Sequence, residues 1–267
     1  MTIAIPNTGT PQQTADTRAG LRQAIRAEWT KLASLRSTKW TLAVTTVGAL
    51  LVTVLATHHA GHRLGYKYFD PTNQSMTGLA LASLTIGVLG VLTMTGEYGT
   101  GTIRSSLAAL PRRETLLTAK VAVVGVLTLL VGEVLSFSAF FIGQAVLAAN
   151  GAPSAHLGQP DVLRAVVLSG AFLSLLALFG LGLGAVVRHT AGALAAYAGV
   201  VLLLPVLLQT VGGDPGRYTP DLIFANSVAA VAPQPPALSA TVGFGLMVAY
   251  TLAALGLGAA LLNRRDA

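Results

Sequence analysis

The chain has 267 residues, of which 53% are hydrophobic and only 10% charged, whereas a soluble domain usually carries about a quarter charged residues. With a mean hydropathy of +0.67, too little polar surface is available to cover a water-soluble globule, so an all-α integral membrane protein is expected. The net charge of +7 is therefore read first as a topology signal rather than a nucleic-acid footprint, and the absence of cysteine excludes disulfides, thiolate nucleophiles and Cys-type metal sites.

Residues 1–16 contain no apolar run suited to a signal-peptide core and are expected to form a disordered cytosolic tail. Residues 17–39 follow as an amphipathic helix. Leu21, Ile25, Trp29 and Leu32 recur at helical spacing, with Arg18, Arg22, Arg26 and Lys31 on other faces. Such a helix suits the surface of an anionic leaflet, with Trp29 at headgroup level, and a solvated charge run is the plainer alternative. Six apolar runs then have the length of about 20 residues that a bilayer requires. They are Trp40–Thr57, Ser75–Gly96, Val121–Ala149, Val162–Val187, Ala191–Val211 and Ala237–Leu262, within a six-span transmembrane body over 40–262 followed by a cytosolic tail at 263–267.

Sidedness follows from the basic residues. With the N-terminus inside, thirteen of the seventeen lie on the cytosolic side: Arg18, Arg22, Arg26, Lys31, Arg36, Lys39, Arg104, Arg112, Arg113, Lys120, Arg188, Arg264 and Arg265. Only Arg63, Lys67, Arg164 and Arg217 lie opposite, which supports an even number of spans and both termini in the cytosol.

Between spans two and three, Gly96, Gly99 and Gly101 are expected to break the membrane helix as it leaves the bilayer. Thr102 would cap a short new helix ending near Pro111, with Ile103, Leu107 and Leu110 as one apolar stripe. That stripe needs a cover. The membrane surface and a groove on a cytosolic partner fit it equally from spacing alone.

Glu97-Tyr98-x-x-Gly101-Thr102-Ile103-Arg104, followed by Leu107, Pro111, Arg112 and Lys120, resembles the permease subunits of type-2 ATP-binding cassette exporters. Glu28-Trp29-x-Lys31-Leu32 and Arg36-Ser37-x-Lys39-Trp40 are similar to the same family's amino-terminal segment. The resemblance implies that residues 17–39 are an elbow helix and that 97–115 hold a coupling helix docking on a separate cytosolic ATPase, with Glu97, Tyr98, Thr102, Ile103, Arg104 and Leu107 as coupling residues. It implies further a second permease subunit, identical or not, outward transport, and a plasma-membrane location. One departure is that Gly96 stands where the family often places a basic residue before the motif Glu.

No lysine of this chain follows a glycine, and the residues after Lys31, Lys39, Lys67 and Lys120 are Leu, Trp, Tyr and Val, so no phosphate-cradling loop is present. The chain is not expected to be an enzyme or to hold a cofactor; ATP and Mg would reside on the partner. Glu133 is the acidic residue well inside a span, where it either hydrogen-bonds a hydroxyl or backbone carbonyl of a neighbouring span or lines a transport path; Gln144, about three turns on, makes with it a candidate polar stripe. His58, His59 and His62 near Asp70 read as interfacial residues rather than a metal site. Gly180, Gly182 and Gly184 in span four, and Gly192 with Ala196 in span five, favour close helix packing within the subunit. Two other classes fit the composition: a proton-coupled secondary transporter using Glu133, and a non-transporting membrane anchor. No nucleic-acid partner is expected.

Overall fold

The computed structural model describes residues 20–60, 69–110, 113–210, 215–230 and 238–264. It is all-α, with no strand among the described residues. A first helix, α1 (Leu21–Ser34), is followed after Leu35 by α2 (Arg36–His58), a short α3 (Pro71–Ser75), α4 (Leu79–Gly99), α5 (Thr102–Ala109) and α6 (Arg113–Ala149). Then come α7 (Val162–Val187), α8 (Thr190–Ala198), which runs through a π-helical segment at Gly199–Leu203 into α9 (Leu204–Thr210), α10 (Pro220–Ser227) and α11 (Ala240–Arg264). Six stretches are long and apolar enough to cross a membrane: α2, α4, α6, α7, Thr190–Leu208 and α11.

Several expected boundaries move, each for a local reason. The helix expected over 17–39 is divided at Leu35, whose extended backbone (φ −72°, ψ 118°) ends α1 and lets Arg36–Lys39 begin the first span. The glycines at 96 and 99 do not interrupt α4. The chain breaks only at Gly101, where φ of +71° demands a left-handed conformation open to glycine, and Thr102 is the first helical residue of α5 rather than its cap. Leu110 is non-helical (φ −126°, ψ 84°), as expected of a residue before proline, and Pro111 lies outside the described residues. The third span begins eight residues earlier than hydropathy suggests, at Arg113, so α6 is 37 residues long. At 1.5 Å per residue it measures about 55 Å, well beyond a hydrocarbon core of about 30 Å. The π-helical segment precedes Pro205, which lacks the N–H that would bond Val201.

The core is built around α7, which packs between α4, α6 and α11; 67% of its most apolar stretch is buried, against 22% for α2 and α11. Small residues make that approach possible. A Cβ added at Gly90 of α4 would overlap the carbonyl oxygen of Ala177, while Gly180 faces Gly87, Gly182 faces Ala254 and Gly184 faces Met94. These are contacts within the subunit.

Among the described residues, Lys31, Arg113, Lys120 and Arg188 of the set assigned to one side gather at one end of the bundle. Arg113 donates to the Leu262 carbonyl at 2.6 Å, Arg188 to the Leu261 carbonyl at 2.8 Å, and Asn263 to Glu114 at 2.9 Å. The opposite end is tied by Asp70, whose carboxylate caps α3 at Thr72 N and accepts from Ala230 N at 2.8 Å, and by Arg164, which donates to the Ala229 carbonyl. Asp70 caps α3; His58 and His59 end α2, and His62 lies outside the described residues.

Candidate functional site

On α1 the inward face is formed by Ala24, Glu28 and Leu32, four residues apart and all buried. Leu21 and Trp29, expected on the apolar face, are 44% and 49% exposed, beside exposed Arg22 and Arg26. Glu28, turned inward, meets two lysines. Its Oε2 accepts from Lys120 of α6 at 2.7 Å and its Oε1 from Lys31 at 2.8 Å. Glu97, near the end of α4, uses one oxygen for both cations, accepting at Oε1 from Lys120 at 2.7 Å and from Lys31 at 2.8 Å. Lys31 also donates to Ser106 Oγ of α5 at 3.1 Å, and Lys120 to the Thr93 carbonyl at 3.4 Å.

Two carboxylates and two ammonium groups therefore form a neutral, alternating cluster joining α1, α4, α5 and α6. Lys120 is 1% exposed and Glu28 2%, so the pairing is what makes their burial tolerable. Burial works to lower the pKa of Lys31, but hydrogen bonds and attraction from Glu28 and Glu97 outweigh it and hold the ammonium above its ordinary value. Gly96 is exposed with open space around its Cβ position, and Glu97 takes its cations from α1 and α6, as Lys31 and Lys120.

The apolar stripe of α5 is covered by the protein itself. Ile103 is 3% exposed and packs with Leu110 against Ala24 of α1 and Leu116 and Ala119 of α6; Leu107 and Tyr98 border the same cluster. What α5 turns outward is Thr102, Arg104 and Ser105. Beside it the Arg188 guanidinium lies 5.6 Å from the centre of the Tyr98 ring, so the turn between α7 and α8 abuts the end of α4. Arg188 holds a left-handed backbone (φ 60°) to make that turn.

Of the residues picked out in sequence, Glu97, Tyr98, Ile103, Leu107 and Lys31 thus converge on one region, with Thr102 and Arg104 on its outer surface. Glu133 and Gln144 do not join them or share a setting. Gln144 donates to Pro71 O and Ser75 Oγ and accepts from Ala155 N, fastening chain segments at the other end of the bundle. Glu133 lies half-buried against Gly170 of α7. Glu28 and Lys120 were visible only as letters of two motifs; Lys120, a lone charge between Ala119 and Val121, carried a signal that could have singled it out, whereas Glu28 stands close to Arg26 and Lys31 and carried none.

No curated protein matches the chain. A family model described as ABC-2 family transporter protein matches residues 24–211, more than two thirds of the sequence, and takes in Glu28, Lys31, Glu97, Ser106 and Lys120. The chain belongs to this ABC-2 family, whose members are membrane components of ABC transporters that work with a separate ATPase subunit.

Proposed function

We propose that the chain is the permease subunit of an ATP-driven exporter in the plasma membrane, with both termini cytosolic, and that it pairs with a second permease subunit and docks a cytosolic ATPase through α5. The observation that carries this reading is the buried Glu28–Lys31–Glu97–Lys120 cluster. Through Ser106, Ile103 and Leu110 it fixes the short helix α5 to α1, α4 and α6, so a push on α5 moves the ends of two long helices rather than a loose loop. In this reading α1 serves as the elbow, with Arg22, Arg26 and Trp29 facing the lipid surface. Arg104 and Ser105 present the docking face, and Arg104 pairs with an acidic rim on the partner.

Burial of Ile103 changes how the docking is tested. Ile103→Asp would place a carboxylate in a packed cluster and loosen α5 itself, so lost association would say nothing about contact. The exposed pair is the discriminating choice. Arg104→Glu with Ser105→Glu is expected to abolish co-purification of a Walker-type ATPase from native membranes while leaving the unfolding free energy within about 0.5 kcal/mol of the parent. Retained stoichiometric association would remove α5 as the docking element.

The rival is proton-coupled transport through Glu133, favoured by the placement of this carboxylate on α6 against the backbone of α7. It requires a flux driven by a proton gradient without any ATPase, abolished in Glu133→Gln.

A further inference from the structure

The break at Leu35 leaves the start of α2 uncapped. Leu35 has no side-chain acceptor to offer, and the first backbone bond of the helix runs from Lys39 N to Leu35 O at 3.4 Å. The N–H groups of Arg36, Ser37 and Thr38 therefore find no acceptor among the described residues. The Thr38 hydroxyl is unengaged as well. A helical threonine commonly donates to the carbonyl four residues back, but for Thr38 that residue is Ser34, which lies beyond the break. Thr38 is only 6% exposed, yet its hydroxyl makes no hydrogen bond to a described residue and, unlike Glu97 Oε2, is not sealed off. Ser34, Thr93 and Thr100 differ, each donating its hydroxyl to a carbonyl of the preceding turn.

This turn opens on a cavity of about 590 Å³ between α1, α2 and α4, where Ser34, Leu35, Ser37, Thr38 and Thr41 form one end. What that end offers is donors and positive charge. The N-terminus of a helix is itself positive, and Arg36 and Lys39, both exposed, stand in its first turn. Glu28 and Glu97, also on the cavity, are neutralised by Lys31 and Lys120, and the one carboxylate oxygen without a partner, Glu97 Oε2, is out of reach. An anion fits here, and a phosphate is suited to several N–H and O–H donors at once. The remaining wall is apolar, with Leu32, Leu89 and Leu92; Leu35 and Leu92 are 49% and 39% exposed, and Trp40, 71% exposed, marks the headgroup level one turn into the span. An acyl chain therefore has a place beside the anion. A choline head would bring its own cation against Arg36 and Lys39. We propose that the cavity is a discrete site for an anionic phospholipid, such as phosphatidylglycerol. Its phosphate accepts from the first-turn N–H groups of α2 and the Thr38 hydroxyl, and one acyl chain lies along Leu35, Leu89 and Leu92. The inference does not rest on the transport reading, since binding is measured without ATP or a partner.

The test uses the full chain in phosphatidylcholine nanodiscs doped with a photoreactive phosphatidylglycerol. Saturable labelling on peptides of α2 or α4 is expected, displaced by unlabelled phosphatidylglycerol but not by diacylglycerol, by added phosphatidylcholine or by inorganic phosphate in the buffer. Thr38→Val keeps every charge and is expected to weaken labelling about tenfold, the loss that follows from one hydrogen bond to a charged oxygen. Leu92→Trp, which fills the apolar wall, is expected to weaken it as well, whereas Leu130→Trp on the exposed face of α6 leaves it unchanged. Displacement by inorganic phosphate would identify a soluble anion as the ligand and overturn the lipid assignment. Non-saturable labelling, equal displacement by phosphatidylcholine, or indifference to Thr38→Val or Leu92→Trp in a protein with the parent's unfolding midpoint would overturn the site.

Discussion

Lys120 is among the largest fully buried side chains in the protein, and its ammonium is shared by two carboxylates on different helices. Lys120→Met would leave Glu28 and Glu97 facing one another with only Lys31 between them. The expected loss is about 3–5 kcal/mol, the usual consequence of removing one partner from a buried ionic group, read as a lowered denaturant midpoint in mixed micelles. Adding Glu28→Gln should restore part of it, because the second change removes the charge that the first stranded; strictly additive losses would show that the two side chains do not interact. Lys31 differs. Its side chain is 43% exposed, so Lys31→Met is expected to cost no more than about 1 kcal/mol. Since its pKa is raised, its contribution is complete at neutral pH and is lost only as pH climbs through that raised value. A stability change of Lys31→Met that vanished between pH 6 and 8 would contradict the pairing. This cluster was not legible in sequence, because its contacts join residues 92, 66 and 23 positions apart and each helix carries only one or two of its charges.

At the scale of elements, what the sequence carried plainly was length and apolarity, and six spans follow from those two quantities. Helix ends were less legible, because glycine permits a break without requiring one. Gly96 and Gly99 stay helical while Gly101 turns, and the difference lies in the tertiary hold on Glu97 and Tyr98 rather than in local propensity. Gly101→Ala is accordingly expected to cost about 1 kcal/mol and to raise amide exchange in α5 without affecting the spans; Gly96→Ala, with open space around its Cβ position, should be neutral or slightly stabilising. In the bundle, Gly90→Ala would force α4 and α7 apart at Ala177, with an expected loss of about 1–3 kcal/mol, while Gly256→Ala meets nothing and serves as the control. The apolar stripe of α5 was read correctly as a stripe, but not its cover. Two external surfaces were weighed, and α1 and α6 of the same chain supply the packing instead.

For the whole molecule, the bias of basic residues becomes a geometric statement: α1, α5, the start of α6, the turn at Arg188 and the end of α11 meet at one end of the bundle. If that end is cytosolic, an impermeant maleimide reacts with Ser105→Cys only from inside and with Asn150→Cys only from outside. The native chain has no cysteine to confuse the result. The same two positions give the most direct test of the central claim, that an ATPase acts on the membrane helices by pressing on α5. A benzophenone attached at Ser105→Cys in native membranes should, on illumination, form a covalent adduct with a polypeptide bearing a glycine-rich phosphate-binding loop, and the same group at Asn150→Cys should form none. No ATPase adduct at position 105 in a folded, membrane-inserted protein, or equal adducts at both positions, would contradict the account.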